Sequence, residues 1–214
     1  MKNIGLIFDL DGTLLDTLGD LRDAVNYTLG QLGLPPRTTQ EVRHFVGTGA
    51  RNLITFALEG RADVDVALPI FQSYYKDHCR VLTAPYPGIP EALAKLSDYP
   101  MAIVSNKPDG AVKALCADYF PGLYARGETP GCPRKPAPDM VYEAMAELGV
   151  KNCIYIGDSE VDVITAKNAG VPCLSVLWGF RDRDEIEANG GVHFCQEVST
   201  LPDMIEKIAG EQNG

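Results

Sequence analysis

The amino-acid sequence predicts an α/β fold: a Rossmann-like, three-layer core built on a parallel sheet, with a small helical cap domain inserted after the first strand. Two observations carry the core. From Gly88 onward, short apolar runs alternate with segments of helical spacing, the pattern of βαβ crossovers that place helices on both faces of a sheet. A separate apolar run, Ile4 to Phe8, stands ahead of them near the N-terminus. The third observation gives the insertion: residues 15–82 between these regions read as successive helices with no strand.

Taken in order, Ile4-Gly5-Leu6-Ile7-Phe8 is apolar without alternation, as in a strand covered on both faces, and Asp9 ends it. Leu18, Leu21, Ala24, Val25, Leu29 and Leu32 recur at helical spacing up to Gly33, with Pro35 and Pro36 beyond. A second helix is expected over Thr39 to Phe45 from a Thr cap, and a third over Ala50 to Leu58. A fourth runs from Val66 to about Cys79, with Leu68, Ile70, Phe71 and Tyr75 inward. These four make the cap, residues 15–82, and leave 1–14 with 83–214 as the core. Ala84-Pro85-Tyr86-Pro87-Gly88 is stiff at Pro and free at Gly, as a hinge or linker strut would be.

The core then reads as helix Ile89 to Leu96, strand Met101 to Ser105, helix Asp109 to Ala117, and a loop with a weak strand. Helix Pro138 to Leu148, strand Cys153 to Gly157, helix Val161 to Ala169 and strand Pro172 to Val176 complete it. Gly170 fits a left-handed helix cap, and the tail after about Ala209 is expected to be loose.

Composition narrows the function classes. At 45% hydrophobic and 22% charged residues the chain is an ordinary soluble globular protein, one large domain or a core with an insertion. No apolar run approaches the roughly 18 residues that would span a bilayer. Met1-Lys2-Asn3 leads into a strand broken by Asp9 rather than into a signal peptide, so a cytoplasmic location is the default. A net charge of -10 argues against a nucleic-acid partner held on a broad basic surface, and an anionic substrate would need local positive charge. The six cysteines (Cys79, Cys116, Cys132, Cys153, Cys173, Cys195) form no C-x-x-C pair and read as reduced, mostly packing thiols. His44, His78 and His193 show no metal-ligand spacing.

Chemistry gathers at strand ends. Asp9 and Asp11, two residues apart, stay ionised together in a crevice only beside something positive, for which a hard divalent cation is the usual answer. Asp9 sits where ligands of open α/β sheets bind, beyond the carboxyl edge, and Gly12 allows a sharp turn that brings backbone N–H groups toward an anion. Strand Met101 to Val104 ends in Ser105-Asn106-Lys107, whose hydroxyl and amides can hold a phosphate oxygen or simply form a polar exit turn. Lys135, in Arg134-Lys135-Pro136-Ala137-Pro138, is either pre-positioned by the prolines or a solvated loop lysine. Asp158 and Asp162, four apart, share one side of a helix start, where the macrodipole favours negative charge.

Together these residues resemble the haloacid dehalogenase (HAD) superfamily. Asp9-Leu10-Asp11-Gly12-Thr13 matches its Asp-x-Asp-x-Thr motif, Ser105 its second motif, Lys135 in Lys-Pro-x-Pro its third, and Gly157-Asp158-Ser159-Glu160-Val161-Asp162 its fourth. They occur in the family's order, and the helical insertion corresponds to a C1-type cap. The resemblance implies a Mg2+-dependent phosphatase in which Asp9 is nucleophile and metal ligand, forming an aspartyl-phosphate. It implies Asp11 as general acid and base whose carbonyl also binds metal, Asp158 as direct metal ligand, and Asp162 as a further acid by the metal and Lys135. Lys135, Ser105 and turn amides near Leu10 and Asn106 would cover the phosphoryl oxygens, with Gly12 and Thr13 in the substrate-binding set. Asp11 favours phosphate chemistry over dehalogenation, since a halide leaves unprotonated.

The cap would read the leaving group. Gly47-Thr48-Gly49 joins two cap helices and either brings amides to a small anion or is a flexible turn; Arg51 meets a substrate carboxylate or solvent. Trp178, Phe180 and Arg181 rim the entrance or pack a loop. Leu15-Asp16-Thr17, Val46-Gly47-x-Gly49, Ser105-Asn106-Lys107-Pro108, Ala166-Lys167-Asn168-Ala169-Gly170 and Trp178-Gly179-Phe180-Arg181 resemble the bacterial phosphoglycolate phosphatase branch, implying 2-phosphoglycolate as substrate. The alternatives are a sugar-phosphate phosphatase, a nucleotidase or pyrophosphatase, a β-phosphoglucomutase-like phosphotransferase and, outside enzymes, a non-catalytic binding module. The expected partner is a small-molecule phosphomonoester, with no nucleic acid or membrane, bound by a monomer or homodimer.

Overall fold

Strand β1 (Ile4–Phe8) is buried at every position, as an apolar run without polar alternation requires. The computed structural model describes residues 2–211. Five further strands join β1: β4 (Met101–Pro108), β5 (Tyr124–Glu128), β6 (Asn152–Gly157), β7 (Cys173–Val176) and β8 (His193–Cys195). Their order is β5-β4-β1-β6-β7-β8 and every pairing is parallel. The chain builds outward from β1 on one side, then returns to build on the other. That reversal opens a crevice at the carboxyl end of β1.

Alternate side chains sort to opposite faces. Leu6, Phe8, Ile103, Ile154 and Ile156 join the larger core, which includes Ile89 of α5 (Ile89–Lys95) and Ile205 of α10 (Leu201–Glu211). Ile7, Ala102, Val104 and Tyr155 face the other way, onto Val141 of α7 (Asp139–Leu148) and Ala166 of α8 (Glu160–Ala169). Each fully buried Phe or Ile contributes about 1.5–3 kcal/mol, so a one-residue slip of β1 would forfeit several such terms at once.

Helices α1 (Leu18–Gln31), α2 (Thr39–Phe45), α3 (Ala50–Leu58) and α4 (Val64–His78) form the strand-free segment. Thr38 and Glu41 close a capping box on α2. Helix α4 begins two residues earlier than expected because Asp63 accepts from the Asp65 amide at 2.8 Å. Its buried face is Ala67, Phe71 and Tyr75; Leu68 and Ile70 are half-buried.

The Ala84 to Gly88 tract is more than a strut. Strand β3 (Ala84–Pro85) pairs antiparallel with β2 (Leu15–Asp16), so the two ends of the helical segment are stitched together. Asp20, buried in the first turn of α1, accepts from the amides of Val81, Leu82 and Thr83 at 3.1, 2.9 and 2.9 Å and from Thr83 Oγ1 at 2.7 Å. Four donors satisfy this buried carboxylate, which fixes the chain where it re-enters the core. The C-terminal stretch expected to be loose after about Ala209 is helical through Glu211, and its last residues, 212–214, lie outside the described residues. All six cysteines are free thiols, and no helix among the described residues is long and apolar enough to cross a membrane.

Candidate active site

Sheet register brings the separated motifs together. Phe8 lies opposite Ile103 on one side and Ile156 on the other. Asp9, Ser105 and Asp158 therefore leave the same edge within two residues of a shared level. The Lys135 loop, ahead of α7, supplies the ammonium, which is 2.9 Å from Asp9 Oδ1, 2.8 Å from Asp162 Oδ1 and 3.0 Å from the Tyr155 hydroxyl.

Asp162 is the hub of this network. Its Oδ2 accepts from the Asp158 amide at 3.2 Å, the Ser159 amide at 3.1 Å and Ser159 Oγ at 2.7 Å, while Oδ1 holds Lys135. Both oxygens are thus committed to positioning neighbours. Asp158 accepts from Thr13 Oγ1 at 3.1 Å and from the Phe180 amide at 2.7 Å. Asp9 Oδ1 takes the Leu10 amide at 2.7 Å as well as Lys135, and no protein donor is bonded to Oδ2 among the described residues.

Carboxylate oxygens of Asp9, Asp158 and Asp162 lie within 4.8 Å of one another, all buried. Burial pushes the Asp158 carboxyl up to about 7, with Asp162 adding repulsion. Burial likewise raises Asp9, and Lys135 offsets this only in part. For Lys135 burial works against the charge, but Asp162 and Asp9 outweigh it and hold the ammonium above its usual range. Three acids around one ammonium leave negative charge in excess, and an all-oxygen set of this kind fits a hard divalent cation. Two glycines press the backbone onto this cluster: a Cβ at Gly12, whose φ is 82°, or at Gly179 would overlap the Asp158 carboxylate.

Above the cluster lies a cavity of about 50 Å³. Asp9, Asp11, Ser105 and Asp158 line its charged side, and Leu21, Leu53 and Phe71 from the helical segment its apolar side. Asp11 accepts from Thr17 Oγ1 at 2.6 Å and pairs with Lys107 at 2.7 Å.

Several expected binding residues are placed differently. The Gly12 amide donates to the Leu15 carbonyl at 2.9 Å instead of facing an anion, and Gly12 serves the close approach of Asp158. Thr13 orients Asp158 rather than lining the cavity, and the Leu10 amide is taken by Asp9. Gly47 and Gly49 line the cavity, but it is the Gly47 carbonyl that meets the core, accepting from Asn106 Nδ2 at 3.1 Å. Thr48 stays out of the lining, its hydroxyl buried without a partner among the described residues. Arg51 is not brought to the cavity: it lies half exposed on α3, paired with Asp65 at 2.5 Å.

Sequence reasoning assigned no role to two lining residues, Lys107 and Tyr75, although Lys107 stands in the Ser-Asn-Lys string and Tyr75 on the inward face of α4. Arg181 both rims the cavity and packs. Buried, it donates to Glu160 at 2.9 Å and to the carbonyls of Arg43, His44 and Val46 at 3.1, 3.3 and 2.7 Å. Those carbonyls close α2, where backbone acceptors lack helical partners, so one guanidinium caps the helix and ties it to the core.

Comparison with known proteins agrees with this arrangement. Residues 6–176 match the family model described as haloacid dehalogenase-like hydrolase. A phosphoglycolate phosphatase of Rhodobacter capsulatus is 36% identical, over 94% of this chain and 96% of its own length. Phosphoglycolate phosphatase 1 of Pseudomonas aeruginosa is 35% identical, over 92% of this chain and 74% of its own. A crystal structure from Lactobacillus delbrueckii subsp. bulgaricus superposes with a TM-score of 0.90 at 36% identity, covering 96% of this chain and 99% of that one. A haloacid dehalogenase-like hydrolase from Streptococcus pneumoniae superposes at 0.85 and 25% identity, covering 94% and 98%. With the family model spanning most of its length and all four motifs meeting at one sheet edge, the chain belongs to the haloacid dehalogenase-like hydrolases.

Proposed function

We propose that this protein is a Mg2+-dependent phosphatase that hydrolyses 2-phosphoglycolate through a phosphoaspartyl intermediate on Asp9. The observation that carries the reading is the convergence of Asp9, Lys135, Asp158 and Asp162, with Asp11 in the same cavity. The Leu10 amide and Lys135 hold Asp9 Oδ1, which leaves Oδ2 to attack phosphorus as the bond to the leaving oxygen breaks. Asp11 gives that oxygen its proton, then takes one from the water that cleaves the phosphoaspartate, releasing phosphate and restoring Asp9. Lys135 and the Ser105 hydroxyl face the phosphoryl oxygens, and such positioned charge is the main demand of phosphoryl transfer. Asp9, Asp158 and the Asp11 carbonyl are the groups that would hold Mg2+, which when bound neutralises charge on the phosphoryl oxygens. Asp162 acts through Lys135 and the Asp158 turn, because its oxygens are already taken.

The helical segment 15–82 serves as the cap in this reading. The cavity beneath it, about 50 Å³, is in keeping with a short leaving group. The relatives named for phosphoglycolate support the same size class. A panel of phosphomonoesters assayed with Mg2+ is expected to give 2-phosphoglycolate the highest kcat/KM. Asp9→Asn is expected to lower turnover by about 10⁴-fold or more with an unchanged circular dichroism spectrum. Substantial residual turnover in that variant would exclude covalent catalysis at Asp9. A different preferred ester would overturn the substrate assignment and leave the chemistry standing.

A further inference from the structure

Lys107 is a buried ammonium that the phosphoryl chemistry leaves unassigned. It follows Ser105 by two residues on β4, is 6% exposed and lines the cavity. Its Nζ lies 2.7 Å from Asp11 Oδ1 and 4.8 Å from the centre of the Tyr75 ring. An ammonium carries three donors, and Asp11 takes one of them. Tyr75 reaches the cavity from α4 and is 4% exposed. Among the described residues its hydroxyl has no hydrogen-bond partner, and the ammonium beside it has only donors to offer, so the hydroxyl proton is left without an acceptor. A buried donor in that state is uncommon in a folded protein and marks a place for a ligand oxygen.

We propose that Lys107 and Tyr75 form a carboxylate subsite for the leaving group. The inference rests on the phosphoglycolate reading and extends it. In 2-phosphoglycolate one methylene separates the leaving oxygen from the carboxylate carbon. Asp11 must come within about 2.6–3.2 Å of the leaving oxygen to protonate it. Lys107 already touches that same Asp11 carboxylate, so its remaining donors reach a group one carbon beyond the leaving oxygen. Arg134, near Gly49, is half exposed and faces Glu128 at 3.8 Å, and three further cations are committed elsewhere. Lys135 holds Asp9 and Asp162, Arg181 is taken up by Glu160 and three carbonyls, and Arg51 pairs with Asp65 away from the cavity. Leu53 and Phe71 add apolar surface to the same cavity, and a charge-assisted contact made beside such low-dielectric surface is stronger than one in water.

The test compares kcat/KM for 2-phosphoglycolate and for 2-hydroxyethyl phosphate, with Mg2+, in the wild type, Lys107→Met and Tyr75→Phe. Both substrates release a primary alkoxide, so any damage transmitted through Asp11 falls on both and cancels in their ratio. The wild type is expected to prefer 2-phosphoglycolate, with that preference reduced about 100-fold by Lys107→Met and about tenfold by Tyr75→Phe. A wild type without preference overturns the substrate assignment and the subsite together. A wild-type preference that persists in the variants overturns the subsite alone, with Lys107 then serving only as the partner of Asp11. Should Lys107→Met fail to fold, Tyr75→Phe, which deletes one oxygen, decides the matter by the same ratio.

Discussion

Asp158→Asn is expected to stabilise the metal-free protein while removing its response to Mg2+. Burial raises the Asp158 carboxyl to about 7, against an unfolded-chain value of about 3.9. The native state therefore keeps a proton that the unfolded chain releases, and the stability of the metal-free protein falls as pH rises from about 4 to about 7, then levels off. The gap of roughly three pH units corresponds to a ceiling of about 4 kcal/mol. About 2–4 kcal/mol is the expected gain on neutralising the side chain. Asparagine fits the site: its oxygen accepts from the Phe180 amide, and its NH2 donates to Thr13 Oγ1 once that hydroxyl rotates. Thermal unfolding in EDTA near pH 8 is expected to show the variant melting about 5–10 °C above wild type. That gap halves near pH 5.5 and closes near pH 4, as the linkage requires. Added Mg2+ reverses the order, because the wild type alone gains stability from binding. A variant less stable than wild type in EDTA near pH 8, or a gap that ignores acidification, would refute the account of Asp158 as an uncompensated buried acid.

Arg51→Ala is expected to leave kcat/KM for 2-phosphoglycolate within about twofold and stability within about 0.5 kcal/mol, since its pair with Asp65 is solvent-exposed; a large KM rise would contradict its placement. Gly12→Ala puts a Cβ into the Asp158 carboxylate at a positive φ and is expected to cost about 1–3 kcal/mol in backbone strain alone, with Mg2+-dependent stabilisation lost in thermal unfolding. Arg181→Met strands Glu160 and three carbonyls at the end of α2, and is expected to destabilise by about 2–4 kcal/mol and to open the end of α2 and the 46–49 loop to limited proteolysis.

The core was legible because its signals are local. Apolar runs such as Ile4 to Phe8 announce buried strands, and strand ends place Asp9, Ser105 and Asp158 on one edge whatever the intervening chain does. The short elements escaped for physical reasons. Strands β2 and β3 have two residues each, too few for any period, and β8 has three. Helix α10 did carry a spacing in Leu201, Ile205 and Ile208 that marks its buried face. Direction was the harder problem. A glycine-rich turn shows that backbone approaches something closely, but not whether amide or carbonyl points inward, and at Gly47 it is the carbonyl. A cation next to a turn, like Arg51, is as free to face solvent as substrate, because a long charged side chain loses least in water. Asp20 gave no signal either, since a lone acid in a first helical turn reads as dipole complement until its four donors from Val81, Leu82 and Thr83 are seen.

These placements bear on how recognition and chemistry connect. The groups proposed to meet phosphorus come from strand ends and the Lys135 loop, whereas Tyr75, Leu53 and Phe71 come from the helical segment. That segment is joined to the core through the β2–β3 ladder and the Asp20 clamp at its root, and across the cavity through Arg181 and the Asn106 contact to Gly47. On the cap reading, a swing about the root would break the distal contacts first and carry Tyr75 away from Lys107 in the same motion. The proposed carboxylate subsite would then be complete only when the apolar wall also shields Asp9 from bulk water. A substrate carboxylate bound between Lys107 and Tyr75 favours that closed state by its differential contacts, so leaving-group binding energy goes into assembling the site. Phosphate esters lacking the carboxylate would be penalised in kcat as well as in KM, as expected when remote binding energy organises the reacting groups.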